Sequence, residues 1–555
     1  MKRCPECRRD YYDDTLLYCL DDGNALLEGP ATTDESATKI LSHERRPGEE
    51  VTQFLDPHSE ARPIRSEKRR MWAAVIAAGV ILIAVGSFAA YKKFWRTSSQ
   101  PAIRSLAVLP LENLSGDSEQ EYFADGMTET LIGNLSQIRS LTVTSRRSVM
   151  RFKGSKESVA NIATQLGVDA VIEGTVQRAD GRIKITTQLV LATTDSPIWS
   201  RSYQSDLKDV LKLQGDVAQS IAAEVNAKLT PGEQNRLDSA KSIDPKAHEA
   251  FLLGTYHLGK QNEKDLSLAI TYFEQASNIA PDFADAYAGQ SRAWSKRGIW
   301  GSLSLLQVDS AARAAAEKAL ELDPNNSSAH VALVSLLMNR DNDWARAESE
   351  AKRAIELDPG NAEAYIALSW VLQCLGRHAE VLPNMEMAKR LDPISTQLES
   401  DYGRMLYRAG NNVEAEAHLK RSIELDPNNF SAYGRLGDVY LQMGRFEDAL
   451  GFAHKAENMA SPGRYSLRLA AIYAHRGRKK EALQIVSQAP NVKSMGGAIV
   501  YATLGDKDKA FKLLNEAVDG NDSLLSNAKE EPGLEPLHND PRWKEFLRRM
   551  KFPGI

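Results

Sequence analysis

Residues 425–462 read LDPNNFSAYGRLGDVYLQMGRFEDALGFAHKAENMASP, and this stretch decides the fold of the C-terminal half. Tyr433, Leu436, Gly437 and Tyr440 recur at helical spacing, with one gap in their bulk at Gly437, and Ala449 belongs to the helix that follows. A glycine at that point lets two helices approach closely, while the aromatics fill the space beside it. The same pattern extends outward in both directions. Pro recurs at 245, 281, 324, 359, 393, 427 and 462, at intervals of 36, 43, 35, 34, 34 and 35 residues. Leu-Asp-Pro stands at 322–324, 357–359, 391–393 and 425–427. Small residues precede Pro by 12, 8 and 5 positions, as Ala312/Ala316/Ala319 and Ala347/Ala351/Ala354, and the first unit has Ala269/Phe273/Ala276. The 43-residue interval calls for an insertion, placed at 298–307. After Pro462 the pattern weakens, yet Tyr473, Gly477 and Ala482 are echoed by Tyr501, Gly505 and Ala510.

A 34-residue period closing on Pro resembles the tetratricopeptide repeat. The resemblance implies about eight helical hairpins over 245–519, the last two degenerate, stacked into an all-α superhelix. Residues 520–555 are expected to cap its open end. There Asn539-Asp540-Pro541 starts a helix whose apolar stripe is Trp543, Phe546, Leu547 and Met550. The first helix of each hairpin lines a concave wall. In register with Gly437, the groove-facing positions are Trp370, Gln373, Arg404, Tyr407, Arg408, Asp438 and Gln442. Arg404, Tyr407 and Arg408 share one helix face. Guanidinium groups beside aromatics suit an acidic peptide or a chain-terminal carboxylate. The alternative is a solvated helix face with no ligand. Cys374 falls on the same lining and is assigned no role.

Residues 104–230 read as a compact α/β domain. Leu106–Leu109 and Leu141–Thr144 are short apolar strands, and 170–178 and 182–191 alternate around Asp180-Gly181, a hairpin signal. A further strand is expected near 198–203. Helices are expected over 158–166 and 209–229, and after a capping box of Ser118 and Glu121. Asn113-Leu-Ser-Gly-Asp117 lacks a Gly-Lys-Ser/Thr ending and reads as a structural turn, not a phosphate loop. The strings SLAVLPLENLSGDSEQEYFADGMTETLIGNLSQI, VDAVIEGTVQR and IWSRSYQSDLKDVLKLQGDVAQSI resemble the FlgO/TolB-N α/β domain. That resemblance implies an envelope or regulatory module with no known active site.

The N-terminal hundred residues read differently. Residues 71–91, MWAAVIAAGVILIAVGSFAAY, carry no charge and span about 31 Å as a helix, close to a hydrocarbon core of ~30 Å. They are expected to form one transmembrane helix. Arg62, Arg65, Lys68, Arg69 and Arg70 outnumber Lys92, Lys93 and Arg96, which places the N-terminus in the cytoplasm and the C-terminal domains outside it, on the inner membrane. Small-xxx-small spacing at Ala74/Ala78 and Gly86/Ala90 offers a homodimer seam. Residues 30–70 read as a solvated linker. In residues 1–29, Cys4, Cys7 and Cys19 resemble a degenerate zinc ribbon, with Asp22 where a fourth Cys belongs. Cys4, Cys7, Cys19 and Asp22 form a chemically possible structural zinc set; the other reading is an eroded ribbon without metal.

Composition narrows the function. Lys+Arg is 69 against Asp+Glu 74, a net charge of -5, so nucleic-acid binding by bulk charge is not expected. Lys2, Arg3, Arg8 and Arg9 are basic, but Asp10, Asp13, Asp14, Asp21 and Asp22 surround them. No P-loop, H-E-x-x-H, G-x-S-x-G or kinase signature occurs, and Ser205-x-x-Lys208 lacks companion motifs, so catalysis is not expected. The sequence therefore points to a membrane-tethered protein-interaction scaffold or envelope sensor with a protein or peptide partner in its groove. Two other readings stand behind it: a regulator whose ribbon contacts nucleic acid or a signalling protein, and an uncharacterised enzyme.

Overall fold

The computed structural model describes residues 2–3, 10–11 and 27–28, and from residue 103 onward all but 118–119, 239–242, 261, 301–304, 461–462, 490–491 and 521. Contacts divide the chain into two units, Met1–Arg96 and Thr97–Ile555. In the first, β1 (Lys2–Arg3), β2 (Asp10–Tyr11) and β3 (Leu27–Glu28) form an antiparallel sheet in the order β2-β1-β3. The linker 30–70, the apolar span 71–91 and Cys4, Cys7, Cys19 and Asp22 lie outside the described residues. Among the described residues, no helix is long and apolar enough to cross a membrane, and no His/Cys/Asp/Glu group is placed to hold a metal.

The second unit begins with an α/β region. Its elements run β4 (Ser105–Val108), β5 (Glu112–Asn113), α1 (Glu121–Ser136), β6 (Thr142–Val143), α2 (Arg146–Val149), α3 (Val159–Leu166), β7 (Ala170–Ala179), β8 (Arg182–Leu191), β9 (Ser196–Asp206), α4 (Val210–Glu224) and α5 (Pro231–Asp238). The sheet order is β6-β4-β7-β8-β9, with β5 also on β7; β4, β5 and β6 pair in parallel and β7–β9 antiparallel. Asp180 (φ 51°) and Gly181 (φ 73°) make the two-residue turn that sets the β7–β8 register. The 113–117 segment is a turn: Asn113 Oδ1 accepts from Ser115 N at 2.9 Å, its Nδ2 donates to Asp117 O at 2.8 Å, and Gly116 has φ 75°. The expected capping box does not start α1. Its N-cap is Gln120, which makes no side-chain cap, and Ser118 lies outside the described residues.

Among the described residues, sixteen helices between Pro245 and Asp519 then form eight hairpins. Hairpins 1 to 4 are α6 (Pro245–Leu258) with α7 (Glu263–Ile279), α8 (Ala284–Trp300) with α9 (Leu305–Leu322), α10 (Ser327–Leu336) with α11 (Trp344–Leu357), and α12 (Ala362–Cys374) with α13 (His378–Leu391). Hairpins 5 to 8 are α14 (Thr396–Arg408) with α15 (Asn412–Leu425), α16 (Phe430–Gln442) with α17 (Phe446–Met459), α18 (Ser466–His475) with α19 (Lys479–Gln488), and α20 (Met495–Thr503) with α21 (Lys507–Asp519). The period is built locally. A Cβ on Gly403 would sit 2.6 Å from Leu419 Cγ, and one on Gly437 3.2 Å from Ala449 O, so each first helix touches its partner where bulk is missing. The loops between hairpins cap the next helix: Asn326, Asn361 and Asn429 accept from the backbone N–H three residues on, each worth about 1 kcal/mol. In those loops the Leu-Asp-Pro carboxylate closes its own turn, Asp323 on Asn325 N, Asp358 on Gly360 N and Asp426 on Asn428 N.

One loop departs from this scheme. At 391–395 the sequence is Leu-Asp-Pro-Ile-Ser, and the turn reaches into the α/β region. Asp392, 2% exposed, accepts from Ser145 Oγ and Ser148 Oγ, both at 2.6 Å, and from Arg147 at 3.4 Å. Ser145 N donates to Leu391 O, Ile394 N to Ser148 Oγ, and the Ile394 side chain packs on the α/β core. Arg147 also joins Glu363 at 3.0 Å, where Arg292 and Lys296 of α8 converge. Burial opposes the Glu363 charge, but Arg292, Lys296 and Arg147 outweigh it and hold the carboxyl well below its ordinary range. Along α6, Gly126 of α1 meets Leu252, and Glu249 takes Tyr122 and Arg178. The α/β region is thus docked on the early hairpins.

The C-terminal segment does more than cap the last hairpin. Two short 3-10 helices, 523–530 and 532–537, precede α22 (Pro541–Arg549). Trp543, Phe546 and Leu547 are buried as expected. The segment also returns to hairpins 3 and 4: Phe552 stacks on Trp344 with centroids 4.8 Å apart, and Lys551 Nζ donates to Asp341 O. Asn527, Lys529 and Glu530 bond Cys374, Leu375 O and His378. This strap joins hairpin 8 to hairpins 3 and 4.

Candidate functional site

Between hairpins 5 to 8 and the strap lies a cavity of about 630 Å³. Arg404, Tyr407 and Arg408 come from α14, Arg435, Asp438 and Gln442 from α16, and Arg464 and Arg468 from the start of hairpin 7. Leu467, Met495, Ile499 and Leu524 form an apolar side.

The seven groove positions expected from register divide. Arg404, Tyr407, Arg408, Asp438 and Gln442 line this cavity together. Gln373 does not: it is 1% exposed and its amide contacts His378 Nδ1 at 3.2 Å beside the strap. Trp370 lies against Arg404, whose guanidinium carbon is 3.5 Å from the ring centroid. It is a platform for the arginine, not an outer wall. The two have different causes: Trp370 stacks on the equivalent position of the next repeat, and Gln373 lies beside His378, which bonds Glu530 of the strap. Cys374 is fully buried with its Sγ to Asn527 Oδ1, and burial pushes its thiol up to about 12.

The lining carries five arginines and three carboxylates, Asp438, Asp522 and Glu531. The acids are committed. Asp438 binds Arg468 at 2.9 Å, Glu531 binds Arg408 at 3.3 Å, and Asp522 accepts from Met495 N and Leu524 N. Behind the wall, Asp401 is shared by Arg435 at 3.1 Å and Arg404 at 3.5 Å. Arg464 has no ion-pair partner among the described residues and is exposed at the rim. Burial, then the like charges of Arg435 and Arg408, disfavour the charge of Arg404, and its Nε has no acceptor. Burial raises the Asp438 carboxyl and, with Glu531 nearby, the Tyr407 phenol. The cavity is therefore short of negative charge. Arg435, Arg464 and Arg468 are not among the positions expected from register. Arg435 stands three residues before Asp438 and so shares its face, a signal the sequence held; Arg464 and Arg468 come from the degenerate hairpin, where register is hardest to carry over.

Residues 406–465 and 307–362 each match a family model described as tetratricopeptide repeat. A putative adenylate cyclase 3 of Rhizobium meliloti (strain 1021) is 36% identical over 191 residues, 34% of this chain and 32% of that protein. The chain thus spans about a third of that relative. The BBSome complex member BBS4 homolog of Drosophila melanogaster is 44% identical over 52 residues, 9% of this chain and 11% of that protein. Among solved structures, YrrB, a TPR protein with an unusual peptide-binding site, is 21% identical, covering 38% of this chain and 96% of its own, with TM-score 0.26. Yeast Tom70 is 14% identical, covering 61% and 83%, with TM-score 0.35. Residues 307–362 and 406–465 are thus tetratricopeptide repeats, and both lie within the run of helical hairpins.

Proposed function

We propose that this protein is a membrane-tethered scaffold or envelope sensor whose cavity over Arg404, Tyr407, Arg408, Asp438 and Gln442 takes an acidic segment or chain-terminal carboxylate of a partner protein. The observation that carries this reading is the charge imbalance: five arginines face three carboxylates that already have partners. An entering carboxylate meets Arg464 at the rim and Arg404 at the floor, both with unused donors, in a partly dry site where charge-assisted bonds are strong. The apolar side, including the half-exposed Leu524, accepts a neighbouring aliphatic group. Tethering rests on residues 71–91, with the N-terminus in the cytoplasm, the array outside it and pairing through the small-residue face. Cys4, Cys7, Cys19 and Asp22 fit a structural zinc by donor type. We assign catalysis to neither unit; turnover of ATP to cyclic AMP by the purified chain would contradict this.

Titration of the full chain in detergent with labelled peptides tests the reading. Peptides ending in Glu-Glu are expected to bind and Gln-Gln versions at least tenfold more weakly. Arg464→Glu is the variant of choice, because this exposed side chain holds no described ion pair, whereas Arg408 anchors the strap. Equal binding by wild type and Arg464→Glu, or no preference for Glu over Gln, defeats the assignment.

A further inference from the structure

A second cavity, also about 630 Å³, lies between α1 and α4 of the α/β region and hairpins 1 and 2, and extends to the loops that lead into hairpins 3 and 4. Its charge is opposite to that of the arginine-lined cavity. Among the described residues, its wall carries the carboxylates of Glu129, Asp282, Asp285, Asp323 and Asp358 and a single cation, Arg292. That cation is already met, by Glu363 at 3.0 Å and by the charge of Glu129. Glu129 also holds Arg146 at 3.1 Å. Asp285 accepts from Asn326 Nδ2 at 2.7 Å and Asp323 from Asn325 N at 3.0 Å, but among the described residues neither of them, nor Asp282, has an ion-pair partner. Asp285 opens onto the cavity yet is enclosed by protein; the loss of water around it, and then the nearby Asp323 charge, raise its carboxyl. Two carboxylates crowd one place with no cation between them.

The uncharged lining gives the site a direction. Gln214 of α4 is 1% exposed; its Nε2 faces Met127 Sδ at 2.9 Å and its Oε1 accepts nothing. An unsatisfied buried acceptor costs about 1–3 kcal/mol, so this oxygen calls for an N–H donor. Leu211, one turn before Gln214, and Phe251 pack on the apolar cluster that contains Met127. The Phe251 ring lies 5.0 Å from that of Phe283 by centroids, and Phe283 directly follows Asp282 and stands two residues before Asp285. The wall therefore runs from a lone acceptor, across two phenyl rings, to uncompensated carboxylates. A matching molecule has positive nitrogen at both ends and an apolar chain between. We propose that this cavity binds a linear di- or polyamine, one ammonium donating to Asp285 and Asp323, the methylenes lying on Phe251 and Phe283, and a second nitrogen donating to Gln214 Oε1. Phenyl faces favour such a cation over a neutral chain. One end is held by the array and the other by α4, so a bound amine clamps the α/β region to the hairpins, because a ligand stabilises the state that completes its site.

The test is calorimetry on the full chain in detergent, at about 150 mM salt so that diffuse attraction is screened, with putrescine, cadaverine, spermidine and spermine as probes. At least one is expected to saturate with Kd below about 100 μM. On the unaltered protein, n-butylamine and n-pentylamine, which lack the second nitrogen, should bind at least tenfold more weakly, and an excess of magnesium chloride should leave the bound amine in place. Asp285→Asn, which keeps an acceptor for Asn326 and drops only the charge, and Gln214→Leu should each weaken binding tenfold or more, with a circular dichroism melt no lower than that of wild type. No saturable binding by any of the four probes overturns the proposal, as does equal binding of monoamine and diamine, whatever the variants do. Displacement by magnesium means that the acids act only as diffuse charge and overturns it too. Undiminished binding in either variant does the same.

Discussion

The carboxylate of Asp392 offers the sharpest test of the docked architecture. It accepts two hydroxyl bonds at 2.6 Å, from Ser145 and Ser148, in a position 2% exposed, with Arg147 at 3.4 Å. Hydrogen bonds to a charged acceptor are worth about 1.5–3 kcal/mol each. Arg147 keeps Glu363 when Asp392 is removed, and the side chain of Asp392 has no described bond inside the array. Asp392→Ala should therefore weaken docking by about 3 kcal/mol, the lower end of two such bonds, or on the order of 100-fold. Both hydroxyls donate to Oδ1, so Asp392→Asn keeps both bonds but loses the charge and the Oδ2 contact to Arg147, and should cost roughly half as much. The assay is amide hydrogen exchange at two positions whose bonds exist only while docked, Ser145 N to Leu391 O and Ile394 N to Ser148 Oγ. Both should exchange on the order of 100-fold faster in Asp392→Ala, while amides in the middle of α16 are unchanged. Unaltered exchange at both amides, or equal acceleration throughout the array, refutes the argument that this loop is the docking key.

Three further outcomes follow from buried groups. Burial of His248, 2% exposed and with Nε2 unpartnered, lowers it from 6.5 to about 4. Above pH 6.5 both states hold it neutral, so it contributes no slope; as pH falls below 6.5 the unfolded chain takes the proton first, so stability declines until about pH 4, by roughly 3 kcal/mol in total. Denaturant melts at pH 7 and pH 4.5 should show His248→Leu losing less stability than wild type across that interval. Cys374 should resist maleimide in the native chain and label only after unfolding, as read by mass spectrometry of its peptide; native labelling would mean that the strap does not cover it. Phe552→Ala removes the stack on Trp344 and should cost about 3 kcal/mol, with faster exchange confined to residues 523–555 and 337–344.

What the sequence discloses here is what is local. Gly403, Gly437 and Ala449 announce each hairpin because close approach within a hairpin leaves a small residue at a fixed offset. Asp180-Gly181 announces its turn because positive φ at both positions restricts the residue types. The strap and the docking surface are long-range, with Asn527 meeting residues 374 and 408 and Asp392 meeting 145 and 148, so no period marks them. One trace was present: Ile394 stands where the sister loops carry Asn325, Gly360 and Asn428, and an exposed aliphatic residue in a turn asks for something to cover it. The arginine cavity was half legible for the same reason. Its α14 residues follow from register, whereas the burial of Gln373 does not, because register says nothing about what a distant strap will lie beside.

Stacked helical hairpins behave as springs, since each touches only its neighbours and the coil opens by small twists at every joint. Here Phe552, Lys551 and Asn527 weld the far coil to the third and fourth, and a spring so welded becomes a hoop. A hoop cannot be stretched to admit a bulky guest. The mouth over Arg464 keeps one gauge under pull.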